Sequence, residues 1–220
     1  MLVPTNKWKA WYGRETFELV FLHVPKCGGT FVETVFKRPI AKCPTQVLPG
    51  AAGHLTYREY SRVFADHGLR LEDMTVFTVI RNPWDWHVSW FHYLKQDTGG
   101  RKSGHRIENE LFQTFDFSRY VSWLEDPDAP ASQQGYMRKQ LKDYLIDDRG
   151  RIAVNRILRQ ESLATDLRTM ASELDLAVRV KETQPNSSKR DTYRVYYSDH
   201  DAEIIARRHV DDIRLFGYVF

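Results

Sequence analysis

The chain has 220 residues, of which 42% are hydrophobic and 28% are charged, and its formal net charge is +3. This composition is that of a folded globular domain and excludes a disordered or collagen-like chain. The weak positive charge gives little support for nucleic-acid binding, and two cysteines are too few for a disulfide framework or a cysteine-based zinc site.

No stretch of the sequence approaches the roughly 18 uninterrupted apolar residues that a membrane-spanning helix needs. The first residues, MLVPTNKWKAWYGRE, lack the apolar core of a signal peptide. We therefore expect a cytoplasmic protein without a membrane span, in which Cys27 and Cys43 are free thiols.

In chain order, short apolar runs alternate with segments of helical periodicity. The predicted strands are residues 17–24, 74–80, 152–158 and 177–181. The predicted helices are residues 30–36, 55–64, 84–94, 132–142, 162–174 (capped by Ser162) and 199–216. Strands separated by helices predict an α/β fold, with a central parallel sheet of about four to five strands flanked by helices in a single domain over residues 1–220.

The first predicted strand ends in VPKCGGT, directly before a predicted helix. Backbone N–H groups and the helix dipole at such a junction attract an anion, and Gly28 and Gly29 let the backbone approach it closely. Lys26 adds a positive charge, and Thr30 adds a hydroxyl donor. The stretch matches neither G-x-x-x-x-G-K-[ST] nor G-x-G-x-x-G, so neither a P-loop nucleoside triphosphatase nor a dehydrogenase is favoured. The alternative is a tight turn whose Lys26 points into solvent.

A second candidate anion site, RNPWDWHVS, follows the second predicted strand. Ser89 lies about two helical turns beyond Arg81, so both side chains can contact one anion. Two anion sites at neighbouring strand ends predict one ligand with two separated anionic groups.

These motifs resemble those of the sulfotransferase superfamily, whose sulfuryl donor is 3′-phosphoadenosine 5′-phosphosulfate (PAPS). HVPKCGGT resembles the loop that holds the 5′-phosphosulfate, and VIRNPWDWHVSWF resembles the motif that holds the 3′-phosphate through an arginine and a serine, here Arg81 and Ser89. ILRQESLATDL and the C-terminal FGYVF resemble later parts of the family's chain. The branch most similar contains carbohydrate sulfotransferases and small bacterial homologues, and the resemblance implies a P-loop-like sheet.

The resemblance also implies which residues bind PAPS or its product, 3′-phosphoadenosine 5′-phosphate (PAP), without a metal. They are Pro25, Lys26, Cys27, Gly28, Gly29, Thr30, Phe31, Arg81 and Ser89. Cys27 replaces a threonine that is usual in this branch. Trp86 stands where many members carry a second arginine, so either 3′-phosphate binding is weaker or the contact passes to Lys189 or Arg190.

Sulfuryl transfer presents the same physical problem as phosphoryl transfer, because charge builds on the leaving oxygen. The resemblance assigns Lys26 to that oxygen. His54, in GAAGHLTYREY, stands where the carbohydrate branch has its catalytic histidine, and a histidine suits a base that works near neutral pH. The alternative is that His54 only caps the helix predicted over residues 55–64. Three other histidines near these motifs are expected to pack or hydrogen-bond within the fold: His23, His87 and His92.

Two rival functions remain open at this stage. A kinase-like phosphotransferase would need magnesium and an acid at a strand end, where MTVFTVI is instead followed by Arg81. A catalytically silent nucleotide- or polyanion-binding module would suit the basic loop 101–106. For a sulfotransferase, the resemblance implies a carbohydrate or glycoconjugate hydroxyl as acceptor, with a small-molecule alcohol or amine as the alternative. Segments 37–52 and 97–110 are expected to line the acceptor site, since loops carry specificity.

Overall fold

A computed structural model describes residues 19–36, 53–96, 112–128, 136–176, 178–180 and 192–220. The chain divides into two compact units. The first comprises Met1–Ile80 and Asp143–Ser187, and the second comprises Arg81–Lys142 and Ser188–Phe220.

The first unit is built on a parallel sheet of three strands in the order β1-β2-β3. They are β1 (Leu19–Leu22), β2 (Thr75–Ile80) and β3 (Arg156–Arg159). Leu22 pairs with Thr78, and Ile80 pairs with Arg159. Parallel pairing places the carboxyl ends of all three strands at one edge of the sheet. The parallel α/β arrangement is confirmed, but the sheet in the described part of the chain is smaller than the four to five strands expected.

Side chains reinforce the backbone pairing of the sheet. The Thr78 hydroxyl donates to the Leu22 carbonyl at 2.8 Å in the buried interior. Val76 N–H donates to Asn155 Oδ1 at 2.7 Å, and Asn155 N–H donates to the Val76 carbonyl at 2.8 Å. Since β1 and β2 are almost entirely buried, these bonds satisfy strand polar groups such as the Val76 N–H and the Leu22 carbonyl that water does not reach.

The helices include one that the sequence did not predict, Phe117–Glu125. They are α1 (Gly29–Val35), α2 (Tyr57–Asp66), α3 (Pro83–Gln96), α4 (Phe117–Glu125), α5 (Leu141–Leu145), α6 (Leu163–Glu173), α7 (Asp199–Arg208) and α8 (Val210–Phe216). Side chains of Thr56, Asp116 and Ser198 cap α2, α4 and α7. Four aromatic residues of α3 are buried, and Tyr93 is half-buried. The buried ones are Trp84, Trp86, Trp90 and Phe91.

Two strand predictions are wrong in part. The strand expected over 152–158 begins at Arg156, because Ile152 instead pairs with Ile146 in an isolated antiparallel bridge. Asp147 closes the turn between them by accepting from the N–H of Arg151. The strand expected over 177–181 is absent from the described residues 178–180, where Val178 N–H bonds back to the carbonyl two residues earlier.

Three helix predictions also need correction. The described part of segment 132–142 is helical only at residues 136–137 and from Leu141, and 132–135 lie outside the described residues. Ser162 precedes α6 without capping it, because its hydroxyl donates to Asp166 Oδ2 at 3.0 Å. The tail helix is two helices, since the backbone leaves helical geometry at His209, whose ring is buried.

A chain of four buried side chains crosses the second unit. His209 Nδ1–H donates to Asp212 Oδ2 at 2.7 Å, because a carboxylate oxygen only accepts. His209 Nε2 therefore accepts from His87 Nε2–H at 2.8 Å, and His87 Nδ1 accepts from the Tyr120 hydroxyl at 2.8 Å. All four residues are at most 1% exposed. The chain joins α3, α4 and α8 through hydrogen bonds with one direction.

Asp212 also holds the start of α5. Its two carboxylate oxygens accept from the backbone N–H groups of Leu141 and Lys142 at 2.7 and 2.8 Å. The neighbouring Asp211 pairs with the Lys142 ammonium. After the break at His209, Asp211 and Asp212 thus both contact the first residues of α5.

We expect the free energy of unfolding to fall as the pH drops below 6.5, the ordinary pKa of histidine. Burial, with a smaller contribution from His209 and Arg208, holds the pKa of His87 well below that value in the folded protein. The unfolded chain takes up the proton first, so acid favours unfolding, by up to about 1.4 kcal/mol per pH unit for each such histidine.

Denaturant titrations between about pH 5 and 7 measure this slope. His87→Gln should make it shallower than in the parent protein. His200→Gln, which changes an exposed histidine, is the control and should keep the parent slope. Equal slopes for His87→Gln and the parent would contradict the assignment.

Candidate active site

The loop after β1 has an unusual backbone. Lys26 has φ 62°, a left-handed conformation that costs a non-glycine residue about 1–2 kcal/mol. Gly28 also has positive φ, 83°, and it precedes α1 without a side-chain cap. Cys27 between them is a buried cysteine outside any disulfide. Strain of this kind is characteristic of functional sites, because the surrounding structure must hold it in place.

Close packing explains why both glycines are needed. A Cβ added to Gly28 would lie 2.7 Å from Leu163 Cδ2. A Cβ added to Gly29 would lie 1.9 Å from Nε2 of His23. Contacts below 3.0 Å force a shift of one partner, so the start of α6 and the His23 ring fix the loop from two sides.

His54 is hydrogen-bonded to the backbone of His23, a residue between β1 and the glycine loop. His54 Nδ1 lies 3.1 Å from the backbone oxygen of His23, and a carbonyl only accepts, so Nδ1 carries the proton. In the neutral ring the lone pair then resides on Nε2. The rings of His23 and His54 contact each other edge-on, with centroids 4.5 Å apart. The alternative capping role is excluded, because Thr56 caps α2 in a capping box with Glu59.

The electrostatic environment keeps both histidines neutral near pH 7. Burial is the main cause that lowers the pKa of His23 to about 3, followed by the charges of His54 and Lys26. Burial also lowers the pKa of His54; its bond to the His23 carbonyl opposes this, and the Lys26 ammonium adds to it. Lys26 therefore acts electrostatically on the ring that the resemblance identifies as the base.

The second motif begins the second unit. Arg81 follows β2 directly, and its side chain is 11% exposed. Arg81 Nε–H donates to Asp85 Oδ2 at 2.7 Å, an i,i+4 pair that orients the guanidinium. Ser89 is half-buried two turns along α3. Trp86 is fully buried against Trp90 and His209, so it faces the interior.

Asn82 is the residue that ties this motif to the end of the chain. Its Oδ1 accepts from Trp84 N–H at 3.1 Å, and its Nδ2–H donates to the Val219 carbonyl at 2.9 Å. The Phe220 ring packs on Trp84 with centroids 5.5 Å apart. The C-terminal segment that resembles the family therefore packs against Asn82 and Trp84, the residues that follow Arg81.

The structure brings Lys26 and His54 together in the first unit, and it places Arg81 and Ser89 on the second. Lys189, Arg190 and the predicted acceptor segments 37–52 and 97–110 lie outside the described residues. Sequence reasoning missed the pairing role of Asp85, although its spacing of four residues from Arg81 on a helix is a signal for an ion pair.

Comparison with known protein families identifies the chain. The sequence profile of the sulfotransferase family matches residues 13–219. The chain therefore belongs to the sulfotransferase family, a class of transferases that move a sulfuryl group to an acceptor. A comparison with curated proteins gave no match.

The described residues contain no group of histidine, cysteine and acidic side chains that would hold a metal ion. None of their helices is long and apolar enough to cross a bilayer.

We expect Gly29→Ala to destabilise the protein. At a helical position without positive φ, this change usually stabilises a protein by about 0.4–1 kcal/mol. Here the new methyl group would overlap the His23 ring, so we expect a loss of about 1–3 kcal/mol in the free energy of unfolding. Chemical denaturation gives the sign directly, and a gain in stability would show that the ring does not press on the loop.

Proposed function

We propose that this chain transfers the sulfuryl group of PAPS to an acceptor hydroxyl, with Lys26 and His54 as the catalytic residues. One observation carries the proposal: Lys26, whose backbone is strained, acts electrostatically on the half-buried ring of His54. The His23 carbonyl sets the tautomer of that ring. Family membership supports sulfuryl transfer in general.

The loop would bind the donor through its backbone. Lys26 and Gly28 have left-handed conformations, which are a feature of the turns whose backbone N–H groups bind anions. Gly29 and Thr30 lie in the first turn of α1, where N–H groups point outward along the helix axis. The loop is anchored by buried residues, namely Pro25, Cys27 and Phe31. These groups suit the 5′-phosphate and sulfonate oxygens.

Lys26 and His54 would then divide the chemistry between them. His54 Nε2 accepts the proton of the acceptor hydroxyl as the acceptor oxygen forms its bond to sulfur. The bond from sulfur to the 5′-phosphate oxygen breaks, and the Lys26 ammonium stabilises the charge on that leaving oxygen. The proton thus ends on His54 and the electron pair on PAP. A lowered pKa keeps His54 neutral and able to act as a base near pH 7.

Arg81 and Ser89 would bind the 3′-phosphate of the same donor. Asp85 holds Arg81 through Nε, so the guanidinium enters the site with a fixed orientation. Lys189 and Arg190 are proposed to add positive charge there, as the family resemblance implies, in place of the second arginine that Trp86 replaces. For the acceptor we propose a carbohydrate or glycoconjugate hydroxyl, with a small-molecule alcohol or amine as the second choice.

Removal of either catalytic side chain should abolish most turnover. We expect Lys26→Ala to lower kcat by about 10²- to 10³-fold, because the leaving oxygen loses its cation. We expect His54→Ala to lower kcat by about 10²- to 10⁴-fold, because the acceptor loses its base. Transfer from labelled PAPS to a panel of sugars and alcohols measures both.

Exposed His200→Ala is the matched control and should retain parent activity. Circular dichroism should show that all three variants fold. An active His54→Ala enzyme would remove the base assignment, and an active Lys26→Ala enzyme would remove the role given to the loop lysine.

Donor specificity is tested by calorimetric titration. PAP should bind without magnesium, whereas ATP with magnesium should bind weakly or not at all. Arg81→Ala should weaken PAP binding by about 10- to 100-fold, the loss of a charge-assisted contact to phosphate. Arg70→Ala, which changes an arginine whose side chain is 73% exposed, should not. Preference for ATP with magnesium would favour a kinase, and PAP binding without any turnover would favour a silent module.

A further inference from the structure

His23 contacts three parts of the candidate site through one ring. The imidazole stacks on Phe21 of β1, with centroids 5.3 Å apart. Its Nε2 tip occupies the space beside Gly29, where an added Cβ would lie only 1.9 Å away. The His23 ring also contacts the His54 ring in an edge-on arrangement, with centroids 4.5 Å apart. The ring is therefore wedged between the sheet, the donor loop and the base.

We propose that the side chain of His23 is a positioning residue, which keeps the anion-binding loop and the base His54 in register through simultaneous contact with Gly29 and His54. The inference rests on the proposed function of the site and deepens it. It concerns a residue that makes no contact with the reacting atoms in the mechanism above.

The backbone of His23 gives its ring this influence. The His23 carbonyl accepts from His54 Nδ1 at 3.1 Å, so any movement of His23 moves the base. Phe21 stacks on the ring and Gly29 lies beside its Nε2, and these two contacts restrict the backbone to which the ring is attached. Misplacement of a catalytic group by about 1 Å can cost about 10²-fold in rate, so a small shift is sufficient.

The charged groups around the ring favour a neutral His23. Lys26 acts on it from the loop and His54 from the segment before α2. On α1, Glu33 Oε1 lies 3.9 Å from Nδ1, too far for a hydrogen bond, and its side chain is 53% exposed. When His54 takes up the proton of the acceptor, the new positive charge thus faces a neutral ring and not a second cation.

The first test compares His23→Ala with His23→Phe. His23→Ala should lower kcat by about 10- to 100-fold with a smaller change in the KM for PAPS, because the loop remains while the base moves. The acid limb of the pH–rate profile should shift to higher pH, since His54 becomes more hydrated and burial depresses its pKa less. His23→Phe keeps the ring and should restore most of kcat. Unchanged kcat and an unchanged profile in His23→Ala would overturn the proposal.

Titration of the His54 ring by NMR adds a readout that needs no turnover. The His54 signal should titrate at higher pH in His23→Ala and near its parent position in His23→Phe. If His23→Ala fails to fold, His23→Asn removes the ring with a smaller cavity and carries the same expectations. An identical His54 titration in the parent and in the ring-deleted variant would refute the positioning role.

A double-mutant cycle tests the contact with Gly29 separately. Gly29→Ala should lower the melting temperature in the parent but much less in the His23→Ala background, where the methyl group has room. An equal loss in both backgrounds would overturn the wedge. Because melting and NMR titration do not depend on the donor, failure of this inference is distinct from failure of the proposed function, which PAP titration and His54→Ala decide.

Discussion

The parallel register of three short strands is the constraint on which the site depends. Because Leu22 pairs with Thr78 and Ile80 with Arg159, each strand releases the chain at the same edge of the sheet. β1 leads into the glycine loop, and β2 leads into Arg81. β3 leads into the turn before Leu163, which lies against Gly28. Within the first unit, the glycine loop and Leu163 therefore lie close together at this edge of the sheet.

Backbone geometry and buried rings, rather than a dense cluster of charges, build the loop. Lys26 supplies the formal positive charge, while the nearby histidines are kept uncharged by burial. A loop that combines an ammonium group with backbone amide donors suits a ligand whose charge moves during reaction, because such donors need no reorganisation. The strain at Lys26 is the energetic cost of this arrangement.

The sequence predicts the parts of the fold that local chemistry controls and fails where distant contacts decide. Apolar runs located β1 and β2 to within two residues, and the family that the motifs indicated is confirmed, whereas the roles of Lys26 and Arg81 stay predictions. The strand expected from Ile152 starts later, because the turn closed by Asp147 pairs Ile152 with Ile146 in an antiparallel bridge. The tail helix breaks because His209 has partners in His87 and Asp212, more than 100 residues and three residues away. A single-sequence pattern contains no sign of such partners. The same limit applies to the candidate site, because the contact between the His23 ring and Gly29 depends on packing that the sequence does not show.

The contact between His23 and Gly29 also bears on how this loop can change during evolution. A methyl group at position 29 is tolerated only after the ring at position 23 has become smaller, and the smaller residue alone leaves a cavity beside the base. Each single step is disadvantageous, although the pair together fits. The order of substitutions is therefore restricted, and natural variation at the two positions should be correlated rather than independent.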